Sequence, residues 1–175
     1  MGEASRADAP PSPAPEPDLA PYQHVQFGTP IAVGTALALL VAIALIATLS
    51  AATLRAAPWL VAGLFAIVGV AFALFYRLRV DIDGSRLRAA FGVGIVSRTI
   101  DLADIRRADV VRTRVWWGYG VHVTPSGWLY NVAGRWAVRL ELRSERPIMI
   151  GTDEPDALKA AIDARIAATE QREGR

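Results

Sequence analysis

Few residues in this chain are of types that do chemistry. There are two histidines, His24 and His122, and no cysteine. The lack of thiols excludes disulfides, thiolate metal sites and a cysteine nucleophile. The histidines stand about a hundred residues apart, so a zinc site would need carboxylates brought in from elsewhere. His122 alternates with Val121 and Val123 and is expected on the polar face of a strand. Asp81, Asp83, Asp101, Asp104 and Asp109 are the acids that could pair for acid–base work. Each lies near an Arg or at a turn, which solvated strand faces and helix caps explain. Ser97, Ser126 and Ser144 lack the context of a nucleophile elbow. Gly92-x-Gly94 follows a strand pattern, but Ser97 stands where a dinucleotide fingerprint has its third glycine, and no long helix opens there. It reads as a hairpin turn. No catalytic group, metal site or cofactor is expected.

Two clusters invite a binding role instead. Trp116, Trp117, Tyr119, Trp128, Tyr130 and Trp136 are interleaved with Gly118, Gly120, Gly127 and Gly134. Some must be core in so small a domain, yet adjacent residues of an extended chain face opposite ways, so one of Trp116 and Trp117 is free to point outward. An outward aromatic surface suits a membrane interface or a protein partner. Arg77, Arg79, Arg86, Arg88, Arg98, Arg106, Arg107, Arg112 and Arg114 form the second cluster. A solvated face explains them, and so does anionic lipid, which attracts such residues by ~1 kcal/mol each. The contact residues singled out are Arg77, Arg79, Arg86, Arg88, Trp116, Trp117, Tyr119 and Trp128. Nucleic acid is not an expected partner, because the net charge of the whole chain is only +2.

These clusters have to be positioned by something, and the dominant stretch is Thr29 to Tyr76, almost unbroken apolar sequence with Arg55 as its one charge. Ile31 to Leu54 and Ala56 to Tyr76 are each long enough as helices to cross a hydrocarbon core of about 30 Å. Arg55, Pro58 and Trp59 mark the turn between them. Small residues (Gly34, Ala38, Ala42, then Gly63, Ala66, Gly69) permit close helix packing. Neither run carries the ionisable groups that ion pathways need. Arg77 and Arg79 follow the second span at once, which by the positive-inside rule makes both termini cytoplasmic and the protein multi-pass in the plasma membrane.

Residues 1–28 are a tail, acidic and rich in Pro and Ala over its first 21 residues, where disorder is expected. Tyr22 to Phe27 would sit near the membrane surface. From Leu78 the period changes to two: Leu78, Val80 and Ile82 alternate with Arg79, Asp81 and Asp83, Asp83-Gly84-Ser85 turns the chain, and Arg86 to Phe91 returns it. Further strands are expected at Ile95–Ile100, Arg107–Val115, Val121–Thr124, Trp128–Val132, Val138–Leu142 and Pro147–Ile150. Thr152-Asp153-Glu154-Pro155-Asp156 opens a helix, whose apolar face is Leu158, Ala161, Ile162 and Ile166. The C-terminal domain is taken as 77–170, with 171–175 frayed.

The order of two spans, about seven antiparallel strands and a C-terminal helix resembles the bacterial pleckstrin-homology-like membrane proteins, of actinobacterial type. The segments that carry the likeness are Leu78-Arg79-Val80-Asp81 with Leu87 to Gly94, Asp101 to Ile105, Gly127 to Val132, Val138 to Leu142 and, most specifically, Pro147 to Leu158. Actinobacterial membrane families with the same layout are a second match. The resemblance implies an α+β domain whose bent sheet or barrel is capped by the C-terminal helix. It implies little chemistry. Phosphoinositide binding, common among such domains, does not transfer, because bacteria generally lack those lipids. The expectation is a non-catalytic integral membrane protein that presents this domain at the cytoplasmic face to a protein partner or anionic lipid. The alternative is an accessory subunit whose hairpin packs on a larger membrane enzyme or transporter.

Overall fold

The computed structural model describes residues 20–114 and 117–173. The disorder expected over most of the N-terminal tail, and the side chain of Trp116, lie outside these residues. The described chain begins with a strand, β1 (Tyr22–Phe27), and then enters the apolar stretch as helices α1 (Thr29–Ala47), α2 (Ala51–Ala56) and α3 (Pro58–Phe75). Both long helices have a proline at their first or second residue, Pro30 in α1 and Pro58 in α3, whose fixed φ and missing N–H suit a first turn. At 19 and 18 residues they are roughly 28 Å long. Both are apolar enough to cross a membrane, and neither has a buried residue.

The first span is shorter than the 24 uncharged residues suggest. It stops at Ala47 because Thr48 turns back on it: the hydroxyl donates to Leu45 O at 2.6 Å, and the Thr48 and Leu49 amides close 3.1 and 3.0 Å bonds to Leu45 O and Ile46 O. Leu49 and Ser50 lead into α2, so the turn is a ten-residue connection and is not confined to Arg55 to Pro58. Gly34, Gly63 and Gly69 have nothing within 4 Å of where a Cβ would stand. The close packing that small residues permit is therefore not made at these three glycines.

After the helices come β2 (Arg77–Asp83), β3 (Arg86–Phe91), β4 (Ser97–Asp101), a 3-10 turn (Leu102–Asp104), β5 (Ile105–Arg112), β6 (Gly120–Thr124), β7 (Gly127–Asn131), β8 (Trp136–Leu142), β9 (Ile148–Gly151) and α4 (Pro155–Glu173). The fold is α+β. Three features depart from a single antiparallel sheet or barrel of seven strands. Nine strands are present among the described residues, divided between a sheet ordered β1-β2-β3-β4 and one ordered β5-β8-β9-β7-β6, and these do not close into a barrel. β9 runs parallel to β7 while pairing antiparallel with β8. Finally β1, read as tail, pairs with β2 from Tyr22↔Ile82 to Phe27↔Arg77. The C-terminal helix also continues to Glu173, into the residues expected to fray.

The core lies between the two sheets. β2 and β3 send Leu78, Val80, Ile82, Leu87 and Phe91 inward, all at most 2 % exposed, against Val138, Leu140, Ile148 and Ile150 of the second sheet. Leu158 and Ile162 of α4 complete it. Each such side chain contributes about 1.5–3 kcal/mol by leaving water. β9 is covered on both sides: Ile148 and Ile150 face the main core, and Met149 joins Leu129 and Ala137 in a small second core on the other face. Gly127 belongs to this packing, since a Cβ there would stand 2.0 Å from Pro147 O.

Candidate functional site at the helix-proximal end of the domain

The helices are an insertion within a β-hairpin. Phe27 and Arg77 are register partners, and the Gly28 amide donates to Tyr76 O at 2.8 Å, so the chain leaves the sheet and returns to it at one point. The junction is stiffened on several sides. The Arg77 guanidinium lies over the Tyr76 ring at 5.1 Å and its Nε donates to Gly92 O at 3.1 Å. Phe72 stacks on Tyr76, while Phe75 meets Phe91 edge-on and Phe91 meets Tyr130, which carries the end of α3 into the core. The Gly92 amide donates to Arg77 O at 2.8 Å. A Cβ on Gly92 would stand 2.0 Å from Ala73 O, so the β3–β4 turn sits directly against the last turn of α3.

Two more connections reach the same end. The segment between β5 and β6 leads to Gly120, whose Cβ position is 3.9 Å from the Phe75 ring. The segment between β7 and β8 meets β1 where Gln26 Nε2 donates to Ala133 O at 3.2 Å. These two are tied to each other by the Thr113 amide on Arg135 O at 2.8 Å and by Arg112 over the Trp136 ring at 5.8 Å. The end of the domain nearest the helices therefore carries Arg77, Arg112 and Arg135, with Tyr119, Trp136 and Phe27 exposed. The stretches that build it (22–32, 55–80, 89–100, 110–124 and 132–140) contain no Asp or Glu.

Of the residues singled out from sequence, Arg77 and Tyr119 belong to this end. Arg79 lies nearby on the outer face of β2, where its Nε donates to both oxygens of Asp81 at 2.9 and 2.8 Å. Arg88 and Arg86 stand opposite Asp81 and Asp83, roughly 13 and 20 Å up the strands from Arg77. Arg86 also faces Asp101 across β4. The outer face of this sheet is thus a mixed-charge surface and not a basic patch. Trp117 is packing: it covers Leu129, Ala137 and Met149. Trp128 lies at the far end of β7, where its amide donates to Pro147 O, about 10 Å from the Gly120 end. The grouping missed Phe27, Val93, Ile95 and Arg135; it placed Arg112 with Arg77 in the arginine cluster but left Arg112 out of the contact residues, and it did not join Trp136 to them. The charge-free run Ala89–Ser97, with two apolar residues at a glycine turn, was the available signal.

The titratable groups with unusual surroundings serve to hold β1. His24 Nε2 is 2.6 Å from Asp153 and its Nδ1 is 3.4 Å from Glu154, at the start of α4. Tyr22 has its hydroxyl buried without a hydrogen-bond partner, and burial, with Glu154 and Asp153 adding to it, pushes its pKa up to about 12. Arg165, buried on α4, donates to Ala20 O at 2.7 Å and to Ala161 O at 2.8 Å, and burial lowers its pKa. Burial also raises Tyr130, with Arg98 opposing and Glu145 reinforcing the shift. Among the described residues no group of three or more metal-binding side chains is assembled. Comparison with known proteins returns no matching family model, no matching curated protein and no matching solved structure.

Proposed function

We propose that this protein is an integral membrane protein with two spans, whose α+β domain is a non-catalytic interaction module held against the cytoplasmic face of the plasma membrane. Its ligand there is anionic lipid, met by the helix-proximal end of the domain. One observation carries the reading: the helices leave and re-enter the sheet at adjacent residues, with no linker, so whatever holds the helices holds this end of the domain at the same level. An acid-free rim of Arg with Tyr and Trp is the chemistry suited to headgroups, at about 1 kcal/mol per Arg near the surface. The cytoplasmic orientation rests on Arg77 and Arg79 after the second span against Arg55 alone in the opposite connection. In favour of a pleckstrin-homology-like relationship are the two facing sheets with a C-terminal helix packed beside them; the parallel β7–β9 pair is a departure from it.

The test is hydrogen exchange on the full chain in nanodiscs with and without phosphatidylglycerol. Protection of residues 112–120 and 132–136 that appears with the anionic lipid and fades with salt is the expected result. Exchange that ignores lipid charge, together with a stoichiometric protein in mild-detergent purifications, would instead favour the accessory-subunit reading. That second reading has its own support in the open positions at Gly34, Gly63 and Gly69, which a further helix could approach. Reporter fusions after Arg175 and within residues 48–57 test the orientation: a C-terminal reporter outside the cytoplasm overturns it.

A further inference from the structure

We infer that the β3–β4 turn is a third membrane-seated element, which dips Val93 and Ile95 into the headgroup–acyl boundary of the bilayer that α1 and α3 cross. The inference rests on the two-span reading above.

Strand direction sets the level of this turn. β2 runs away from the helices, so its antiparallel partner β3 runs toward them, from Arg86 opposite Asp83 to Phe91 opposite Leu78. Gly92 then meets Arg77 O and lies against Ala73 and Leu74. The chain has therefore drawn level with the last turn of α3 before the tip begins. Val93 and Ile95 come after that point. They are 60 % and 78 % exposed, so Ile95 is barer than Ile67 on α3 itself, at 70 %. Two such side chains held out by a folded turn are disfavoured in water. Phe27, 62 % exposed and opposite Arg77, adds a third apolar group at the same level.

Backbone chemistry limits the depth. The Gly94 amide donates to Phe91 O and the Phe91 amide to Val96 O, but the Val93 and Ile95 amides make no hydrogen bond among the described residues. Hydrocarbon does not tolerate open amides, whereas the interface supplies water and headgroup acceptors. The side chains therefore enter while the tip backbone stays at the boundary. With Arg77, Arg112 and Arg135 at headgroup height, this seats the domain at a fixed angle on the membrane, a restraint that two helices rooted at one point would not impose by themselves.

The experiment uses the full chain in nanodiscs. The sequence has no cysteine, so a single nitroxide at Ile95→Cys or Val93→Cys reports one site. Collision with oxygen against collision with a nickel chelate gives immersion. Leu40→Cys, on the exposed surface of α1, and Ser85→Cys, in the β2–β3 turn, are the references. The expected result is an oxygen-to-nickel ratio at both tip sites several-fold above that at Ser85, approaching that at Leu40. Tip ratios equal to Ser85 with Leu40 immersed overturn the inference and leave the two spans standing. A Leu40 ratio as low as that at Ser85 overturns both.

Discussion

Replacing Gly92 with Ala should uncouple the domain from its helices. Gly92 has φ +47°, in the left-handed region, which costs a non-glycine residue about 1–2 kcal/mol. The larger effect is contact. The added Cβ would stand 2.0 Å from Ala73 O and 2.6 Å from Leu74 C and O, all helix backbone that cannot swing aside. Relief requires the turn to withdraw by more than an ångström, roughly the shortfall from ordinary van der Waals distance. That withdrawal breaks the Gly92 amide bond to Arg77 O and the Arg77 Nε bond to Gly92 O, together about 2 kcal/mol. The sum is about 3–4 kcal/mol, a fall in Tm of roughly 10 °C for a protein of this size. Gly94→Ala is the control: its φ is +90° and it has open space, so it carries backbone strain without the contact. Thermal unfolding of both variants in the same detergent, followed by intrinsic fluorescence, makes the comparison. A Gly92→Ala protein no less stable than Gly94→Ala would refute the close seating of the turn on α3.

Three further outcomes are expected. Joining Gly28 to Tyr76 through a two-residue Asn-Gly turn in place of residues 29–75 should yield a soluble, β-rich, cooperatively melting domain, whereas residues 77–175 alone, lacking β1, should aggregate; equal folding of the two, by circular dichroism, would remove β1 from the structural unit. Trp117→Ala should cost about 2–3 kcal/mol by uncovering Leu129, Ala137 and Met149, while Trp136→Ala, at an exposed site, should leave Tm nearly unchanged; similar losses in a denaturant series would contradict the two roles. The Tyr22 pKa, raised above its unfolded value of 10, makes the protonated hydroxyl the form that the fold favours. Its contribution is complete below pH 10 and is lost as pH rises from 10 to about 12, by at most about 3 kcal/mol before solvent screening of this half-buried group reduces it. Tyr22→Phe should flatten that window in a pH-resolved unfolding titration.

Much of this molecule was legible from its residues because the signals are local. The apolar run fixes two helices of spanning length, although the hydroxyl of Thr48 ends the first one early. Period-two alternation marks β2, β3 and β8. Thr152 to Asp156 marks the start of α4, and Leu158 and Ile162 fall on its buried face as their spacing requires. What the chain alone did not reveal depends on partners distant in sequence. β1 lacks an apolar alternation because its inward positions, Tyr22, His24 and Gln26, are polar-tipped; His24 finds Asp153 and Glu154 on α4, and Gln26 finds Ala133 O. β9 could lie between β7 and β8 only because it is apolar on both faces, with Met149 in the small second core. The candidate site follows the same rule. Its arginines and aromatics were visible from the start, but charge and aromaticity do not say which end of a strand a residue occupies. Antiparallel register decides that, moving Arg86, Arg88 and Trp128 away from the helices and bringing Arg135, Trp136, Val93 and Ile95 beside them.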